Sequence, residues 1–244
     1  MTSYRTSHVG EDCGIQYDAT HAGKVDSYVW DTFIKDYLDK LFDTCVENGA
    51  NNYLDFACGT GRVLKLGSKH FRNYTGIDIS IDMLEVARNR VPNARIICGD
   101  VTTNPSLSTQ QYDCVSLFRF LLNAERPLCI EVLRWLAAHM PLGGRLIGNN
   151  HMNLASFRGV ATLASNTFFY TARNYLSRKA TIEMLEETGF RIVEWSGYRV
   201  LPTVKGKPIF GKAGQMALEQ MARAFMLGRL GSEQIFVAKK FDDV

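Results

Sequence analysis

Apolar positions along this chain alternate between long amphipathic stretches and short apolar runs. Ahead of residue 50, large apolar side chains share one helical stripe and predict an amphipathic helix over about 27–47. Five apolar runs then alternate with helical patterns, at 52–57, 74–77, 94–98, 112–118 and 145–150. Strands of this kind, separated by helices, predict a parallel sheet that is covered on both faces.

The pattern of apolar positions is less clear at the ends of helices and in the second half of the chain. A helix is expected to open near Ser80, with Asp82 beside its N-terminus as a plausible cap. Another runs from about 127 to 140. The pattern loosens over 151–176, and the remaining predicted elements are a helix at 178–188, a strand at 191–196, a helix at 213–228 and a strand at 233–239.

Composition and charge narrow the class of function. The chain is 46% hydrophobic and 22% charged, with a formal net charge of +3, which argues against a protein that relies on phosphate contacts to nucleic acid. No apolar stretch approaches the length of a membrane span, and no leader pattern opens the sequence. The six cysteines form no C-x-x-C pair, so we expect reduced thiols and no metal site. These features predict a cytoplasmic protein that binds neither membrane nor nucleic acid.

A glycine-rich turn follows the first predicted strand. Gly59 and Gly61 allow a sharp bend and a close approach to a ligand, while Asp78, 19 residues after Gly59, could accept both hydroxyls of a ribose. This much fits a nicotinamide dinucleotide or S-adenosylmethionine. The dinucleotide fingerprint requires a third glycine where this chain has Leu64, and a carboxylate at Asp55 suits a ligand that carries an ammonium group.

Five segments then resemble, in order and spacing, the successive motifs of the class I S-adenosylmethionine-dependent methyltransferases, small-molecule branch. They are LDFACGTGRVL, GIDIS, IICGDV, YDCVSLF and PLGGRLIGNN. The resemblance covers about 50–150 well and 177–240 in outline. It implies a Rossmann-like, doubly wound α/β fold whose mostly parallel seven-stranded sheet ends in a reversed hairpin. It also implies S-adenosylmethionine as the methyl donor and S-adenosylhomocysteine as the product.

The resemblance also organises the chain into one domain over 1–244. An N-terminal helical cap or lid (1–48) precedes a donor-binding core (49–150). The segments 151–176 and 199–231 are expected on the acceptor side, the second of them inserting a helix before the last strand. The helix predicted at 213–228 either covers the acceptor cavity or forms the surface of a homodimer.

The expected donor-binding residues come from the strand ends and from the N-terminal segment. They are Asp55, Ala57, Gly59, Gly61, Asp78, Asp100, Val101, Phe118 and Tyr17. Ala57 stands where many relatives have glycine, and we expect its methyl group to cost little as long as the backbone does not need a positive φ. Asp55 could instead order the loop, Asp78 could cap a helix, and Asp100 could start a turn. Thr60 and Arg62 are expected only to shape the loop and the helix start.

Acceptor residues are expected where the fourth and fifth strands end and in an aromatic segment beyond them. Asn123 and Asn150 could orient a polyhydroxylated acceptor or cap turns, and His151 could be a general base or a structural histidine. Tyr170 and Tyr175 are the aromatic candidates for the cavity wall, although such stripes are more often core. Tyr17 could close over the donor or be a buried aromatic without ligand contact.

The favoured function is methylation of an oxygen or nitrogen of a small metabolite, such as a sugar or polyhydroxylated intermediate, by in-line displacement. One alternative is a protein or nucleic-acid methyltransferase, but the [D/N/S]-P-P-[Y/F] loop of amino-methylating DNA enzymes is not found after the fourth strand. Another is a donor-binding scaffold or regulatory subunit without catalysis. A nicotinamide oxidoreductase is the remaining alternative.

Overall fold

A long N-terminal helix crosses one face of the protein. The computed structural model describes residues 24–150, 153, 155–157, 159–160, 176–204, 207–225 and 227–242. Helix α1 (Val25–Val29) continues without a break through a π-helical segment (Trp30–Ile34) into α2 (Lys35–Glu47). Its buried side chains recur mostly at intervals of three or four residues, so one stripe faces the protein and the opposite one faces solvent.

The strands and the other helices alternate along the chain as predicted. The strands are β1 (Asn52–Phe56), β2 (Asn73–Asp78), β3 (Arg95–Cys98), β4 (Cys114–Leu117), β5 (Arg145–Asn150), β6 (Phe190–Tyr198) and β7 (Glu233–Lys240). The helices are α3 (Arg62–Gly67), α4 (Ile81–Arg90), α5 (Arg126–Ala138), α6 (Arg178–Glu186) and α7 (Gly211–Ala224), with 3₁₀ turns at Pro105–Leu107 and Leu227–Leu230.

The seven strands form one sheet in the order β3-β2-β1-β4-β5-β7-β6. Strands β1 to β5 pair in parallel, and β7 lies antiparallel between β5 and β6. The predicted Rossmann-like sheet with a reversed final strand is therefore confirmed. After β1 the chain adds β2 and β3 on one side of that strand, and it then crosses over to add β4 on the other side. The strand order therefore reverses between β1 and β4, and ligands of open α/β sheets bind at such a switch point.

Alternation along each strand divides the core into two layers. Leu54, Val115 and Phe236 belong to the cluster that includes α5. Their strand neighbours Tyr53 and Cys114 point to the opposite face, where they pack under α1 and α2. Because side chains alternate with a period of two, Asp55 shares the face of Tyr53 and lies beneath the N-terminal helix.

Most predicted element boundaries shift by one to four residues. The helix expected to open near Ser80 is confirmed, but its cap is Ser80 and not Asp82, since the Ser80 hydroxyl accepts a hydrogen bond from the Met83 N–H at 3.4 Å. The helix expected over 213–228 starts at Gly211 and ends at Ala224. Five cysteines in the described part of the chain are free thiols. Across the same ranges, every helix is too short or too polar to cross a membrane.

Candidate donor and acceptor site

A cavity of about 270 Å³ opens at the carboxyl ends of β1 and β4. Its walls come from the loop after β1, the end of β2, the turn after β4, the π-helical segment and the first residue of β7. The residues that line it are Trp30, Asp55, Ala57, Cys58, Gly59, Thr60, Arg62, Val63, Asp78, Ile79, Met83, Phe118, Arg119, Asn123 and Glu233. The cavity therefore lies at the switch point of the sheet.

The loop after β1 turns through three residues with left-handed backbone angles. Gly59 and Gly61 have φ values of 52° and 74°, which glycine adopts without strain. Ala57 has a φ of 53°, so the expectation that its methyl group is tolerated on an unstrained backbone is wrong. A non-glycine residue in this region carries a strain of about 1–2 kcal/mol. The loop keeps this conformation because its hydrogen bonds and the helix behind it hold it in place.

Asp78 fixes that loop from the neighbouring strand. One carboxylate oxygen accepts the Gly59 N–H at 2.8 Å, and the other accepts the Ser80 N–H at 2.9 Å. Asp78 lines the main cavity and also a smaller one of about 40 Å³ beside it. The aspartate therefore stands at the junction of the two cavities, where the ribose of an adenosine would connect its two ends.

The smaller cavity lies beside the ends of β2 and β3. Its walls are mostly apolar and are formed by Phe56, Ala57, Ile77, Ile79, Val101, Phe120, Leu128 and Val132, together with Gly99 and the two aspartates Asp78 and Asp100. Asp100 also makes the turn that was the alternative for it. Its Oδ1 accepts the Thr102 N–H at 2.9 Å and the Thr102 hydroxyl at 2.7 Å.

Asp55 is a buried carboxylate with one oxygen unsatisfied. The Ser116 hydroxyl donates to Oδ1 at 2.5 Å, whereas Oδ2 has no hydrogen-bond partner within the described residues. Burial raises the pKa of Asp55 to about 7, with a smaller contribution from the charge of Asp78 and against the opposing effects of the Ser116 hydroxyl and the Leu64 backbone N–H. A buried, unpaired carboxylate oxygen in a cavity wall is costly unless a ligand supplies a donor, and an ammonium group is the natural one.

Trp30 and Arg62 form the roof of the cavity beside the N-terminal helix. The Arg62 guanidinium lies 4.1 Å from the centre of the Trp30 ring, and the Trp30 ring meets Phe118 edge-on at 6.5 Å. Arg62 was expected only to start a helix. It does begin α3, but its stacking on Trp30 also connects the loop after β1 to the π-helical segment. The apolar stripe in the sequence carries no sign of this contact.

A chain of hydrogen bonds links the ends of β4, β5 and β7. Arg119, whose φ is 58°, donates its backbone N–H to Asn149 Oδ1 at 2.6 Å. Asn149 Nδ2 donates to Glu233 Oε1 at 3.1 Å, and Asn123 Nδ2 donates to the Arg119 carbonyl at 2.6 Å. The turn after β4 is therefore fixed by amides on both sides.

Asp26 ties the N-terminal helix to this same edge. Its carboxylate pairs with Arg199 at 2.8 Å and lies 3.9 Å from the Arg119 guanidinium. Arg199 follows β6 and is nearly fully buried. Helix α1 is consequently anchored over the cavity by a charge cluster that spans β4 and β6.

Most sequence-predicted residues within the described ranges line the two cavities. Those that do are Asp55, Ala57, Gly59, Asp78, Asp100, Val101, Phe118 and Asn123. Gly61 precedes α3 and contributes backbone geometry. Asn150 does not line either cavity, and its Nδ2 donates to the Leu176 carbonyl at 2.6 Å. Tyr17, His151, Tyr170 and Tyr175 lie outside the described residues, so their roles stay predictions.

Nine residues that line the main cavity were not foreseen as part of the site, and three of them, Trp30, Arg119 and Glu233, lie away from the glycine-rich loop. Trp30 looked like any other member of an apolar stripe. Glu233 opens the last strand, and only its antiparallel direction brings it to the same edge as the ends of β1 and β4. The predicted reversal of the final hairpin was the one signal in the sequence that could have placed it there.

Comparison with known proteins agrees with this geometry. Residues 54–144 match the family model for a methyltransferase domain. An uncharacterised methyltransferase of Oceanobacillus iheyensis is 29% identical over 110 residues, which are 45% of this chain and 50% of that protein. The dTDP-3-amino-3,4,6-trideoxy-alpha-D-glucopyranose N,N-dimethyltransferase of Streptomyces venezuelae is 35% identical over 85 residues, 35% of this chain and 34% of that protein. This chain thus spans about half or less of the curated relatives that it matches.

Fold similarity extends further than sequence similarity. The amino pentose methyltransferase CalS10 of Micromonospora echinaspora, solved with S-adenosylmethionine bound, superposes with a TM-score of 0.62 at 14% identity. The superposition covers 92% of this chain and 96% of that protein. Residues 54–144 thus match a methyltransferase domain, and the seven-stranded sheet with a cavity at its switch point has the Rossmann-like fold of the methyltransferases to which this chain is similar.

Proposed function

We propose that this protein transfers a methyl group from S-adenosylmethionine to an amine or hydroxyl of a small molecule. The observation that carries the proposal is the unsatisfied Oδ2 of buried Asp55 in the wall of the cavity. S-adenosylmethionine combines an ammonium group, a ribose and an adenine, and when bound it supplies an activated methyl group on sulfur. The two cavities offer complementary surfaces for all three parts.

Each part of the donor has residues suited to hold it. Asp55 accepts the ammonium, and Asp78 at the junction of the cavities accepts the ribose hydroxyls. The apolar walls around Val101 sandwich the adenine, with Asp100 near its amino group. Methyl transfer asks the protein mainly to align the reacting groups and exclude water, so a catalytic triad is not required.

The acceptor side of the proposal draws on the relatives. Two of them act, by their names, on amino sugars, one of these a dTDP-linked sugar. We therefore favour an amino- or hydroxyl-bearing sugar, or a similarly polar metabolite, as the acceptor of this chain. The segments 151–176 and 199–231, with His151 at the start of the first and Tyr170 and Tyr175 in the wall, remain our proposal for the rest of the acceptor side.

A thermal-shift titration tests the donor assignment. S-adenosylhomocysteine at 100 times its Kd should add about 2.7 kcal/mol to the free energy of unfolding. For a chain of this size that corresponds to a rise in Tm of about 5–11 °C. NAD, tested in parallel, should produce no rise. A rise with NAD alone would overturn the proposal.

A substitution at Asp78 locates the effect in the site. Asp78→Asn removes the negative charge but keeps one oxygen as an acceptor for the loop N–H groups, which makes it cleaner than alanine. We expect a 10- to 100-fold weaker affinity for S-adenosylhomocysteine, roughly the value of one or two hydrogen bonds to a charged group. Asp82→Asn, on the neighbouring helix and outside both cavities, is the matched control and should leave the affinity unchanged when both are measured by calorimetry.

A further inference from the structure

We propose that Glu233 is the acceptor-binding carboxylate of this site: it holds the N–H or O–H group that becomes methylated and takes up its proton. This inference rests on the proposed function and identifies the acceptor as a nucleophile that carries a proton. An amine or a hydroxyl meets that requirement, whereas an anionic acceptor such as a carboxylate would be repelled by Glu233.

Burial and position single out this carboxylate. Glu233 is only 6% exposed, yet it lines the same cavity as Asp55 and Asp78. It lies on β7, two strands beyond β4 in the sheet. At the usual spacing between strands, its backbone is about 10 Å from β4 and about 14 Å from β1. The donor-binding aspartates therefore occupy one side of the cavity and Glu233 the other.

Asp55 and Glu233 lie on the same face of the sheet. Asp55 pairs in register with Ser116, and Asn149 pairs with Ile235, two residues after Glu233. Residues two apart on a strand point to the same side, so Glu233 and Asn149 are diagonal neighbours beneath the N-terminal helix. This face of the sheet thus carries Asp55 and Glu233 in the cavity wall, with the buried side chains of Ser116 and Asn149 on the strands between them.

Asn149 holds the Glu233 carboxylate in a defined orientation. The Arg119 backbone N–H can only donate, so it fixes Oδ1 of Asn149 as the acceptor, at 2.6 Å. Asn149 must then turn its NH₂ to Glu233, where the 3.1 Å contact engages Oε1. Within the described residues, this is the one hydrogen bond that the carboxylate receives, which leaves Oε2 for a ligand.

The negative charge of Glu233 favours a ligand that carries a hydrogen-bond donor. A buried carboxylate with a single neutral hydrogen bond remains poorly compensated. A neutral amine or a hydroxyl of the acceptor would supply a second hydrogen bond, and it would be held on the side of the cavity opposite Asp55. In the transfer, the acceptor nitrogen or oxygen bonds to the methyl carbon as the sulfur–carbon bond breaks, the electron pair stays on sulfur, and the acceptor proton passes to Glu233.

Binding of a donor analogue tests this role without a known acceptor. Sinefungin carries a primary amine where S-adenosylmethionine carries its methylated sulfur, so it places an ammonium group at the position of the reacting centre. S-adenosylhomocysteine has a neutral sulfur there. Calorimetry of both ligands with wild type and Glu233→Gln isolates the interaction between the carboxylate and that ammonium group.

We expect Glu233→Gln to weaken sinefungin by about tenfold and S-adenosylhomocysteine by less than about twofold, because only sinefungin loses a charge-assisted hydrogen bond. Glu131→Gln removes one exposed charge from α5 and should change neither affinity. Glu233→Asp keeps the charge but withdraws it by one methylene, so it should give an intermediate loss and provides the test if the glutamine variant fails to fold.

The outcomes separate the two proposals. If wild type binds both ligands and their affinity ratio is the same in Glu233→Gln and Glu233→Asp, Glu233 does not hold the acceptor and the proposed function stands. If wild type binds neither ligand, the proposed function fails and the role of Glu233 falls with it.

Discussion

Ala57 introduces backbone strain into the loop after β1, because its φ of 53° lies in the left-handed region that glycine adopts without strain. We expect Ala57→Gly to raise the free energy of unfolding by about 0.5–1 kcal/mol, since the relief of about 1–2 kcal/mol exceeds the entropy that glycine adds to the unfolded chain. Urea denaturation measures the change.

The matched control is Ala94→Gly, because Ala94 is not among the residues with positive φ in the described part of the chain. That change should lower the free energy of unfolding by about 0.5–1 kcal/mol. Equal losses in both variants would show that the backbone at Ala57 is not strained.

Asp55 should make donor affinity depend on pH near neutrality. Its pKa of about 7 in the ligand-free protein lies above that of an exposed aspartate, so its contribution to stability is present at acid pH and is lost as pH rises through 7. The ammonium of the ligand needs the ionised form. We therefore expect the affinity for S-adenosylhomocysteine to weaken as pH falls below 7.

Asp55→Asn is the comparison for that pH series. The variant keeps an acceptor for the Ser116 hydroxyl but does not titrate, so its weaker affinity should stay flat between pH 5.5 and 8.5 by calorimetry, apart from groups shared with wild type. Its stability relative to wild type should increase as pH rises over the same range. Parallel pH curves for the two proteins would remove Asp55 from the ammonium site.

Residue-level prediction from the sequence worked where a motif fixes both type and place. Asp55 lies in β1, Asp78 ends β2 and Val101 follows β3, as their motifs predict, and all three line a cavity. Trp30 could not be separated from an ordinary core aromatic, since its contact with Arg62 depends on how the N-terminal helix crosses the loop. The positive φ of Ala57 is equally invisible, because it depends on the loop hydrogen bonds to β2.

At the level of elements, close packing between β5 and β7 depends on a missing side chain. A Cβ on Gly148 would lie 2.3 Å from the Phe236 ring of the paired strand. We expect Gly148→Ala to lower the free energy of unfolding by about 1–3 kcal/mol through overpacking.

The same substitution in α7 should act in the opposite direction. A Cβ on Gly214 meets only ordinary contact at 3.4 Å from Phe210. Alanine is the better helix former, so Gly214→Ala should raise the free energy of unfolding by about 0.5–1 kcal/mol. Thermal and urea denaturation measure the stability of both variants. A lower free energy of unfolding in both would contradict the packing explanation.

Element types followed from the sequence more surely than element ends. Helices α2 and α5 carry long apolar stripes, so the sequence predicted both of them. The π-helical segment at Trp30–Ile34 left no mark in the pattern, because five residues of wider turn shift the buried stripe by only one position. The end of α7 was missed because apolar residues continue beyond it into the 3₁₀ turn at Leu227–Leu230.

At the scale of the whole molecule, strand order predicts the order of hydrogen exchange. Strands β1 and β4 have a neighbour on each side and buried residues on both faces, whereas β3 and β6 are the outer strands. We expect amides of β1 and β4 to exchange last, close to the rate of global unfolding, and those of β3 and β6 sooner. Mass spectrometry of peptides measures this, and a β6 as slow as β1 would contradict it.

The whole fold was predictable because alternation of strands and helices leaves few topologies, and the motif order selected one of them. The acceptor side was not, since Glu233 and Asn149 come together only when β7 enters the sheet. Pairs that are distant in sequence carry no local pattern.

The position of β7 also determines the order in which the strands of a nascent chain can pair. Because β7 lies between β5 and β6, strand β6 leaves the ribosome before the strand that connects it to the sheet has been made. The first five strands can assemble while β5 presents an open edge, and β6 joins only after β7 is synthesised. That open edge is a place where unfinished chains can pair wrongly, so the late hairpin covers it at the same time as it brings Glu233 to the cavity.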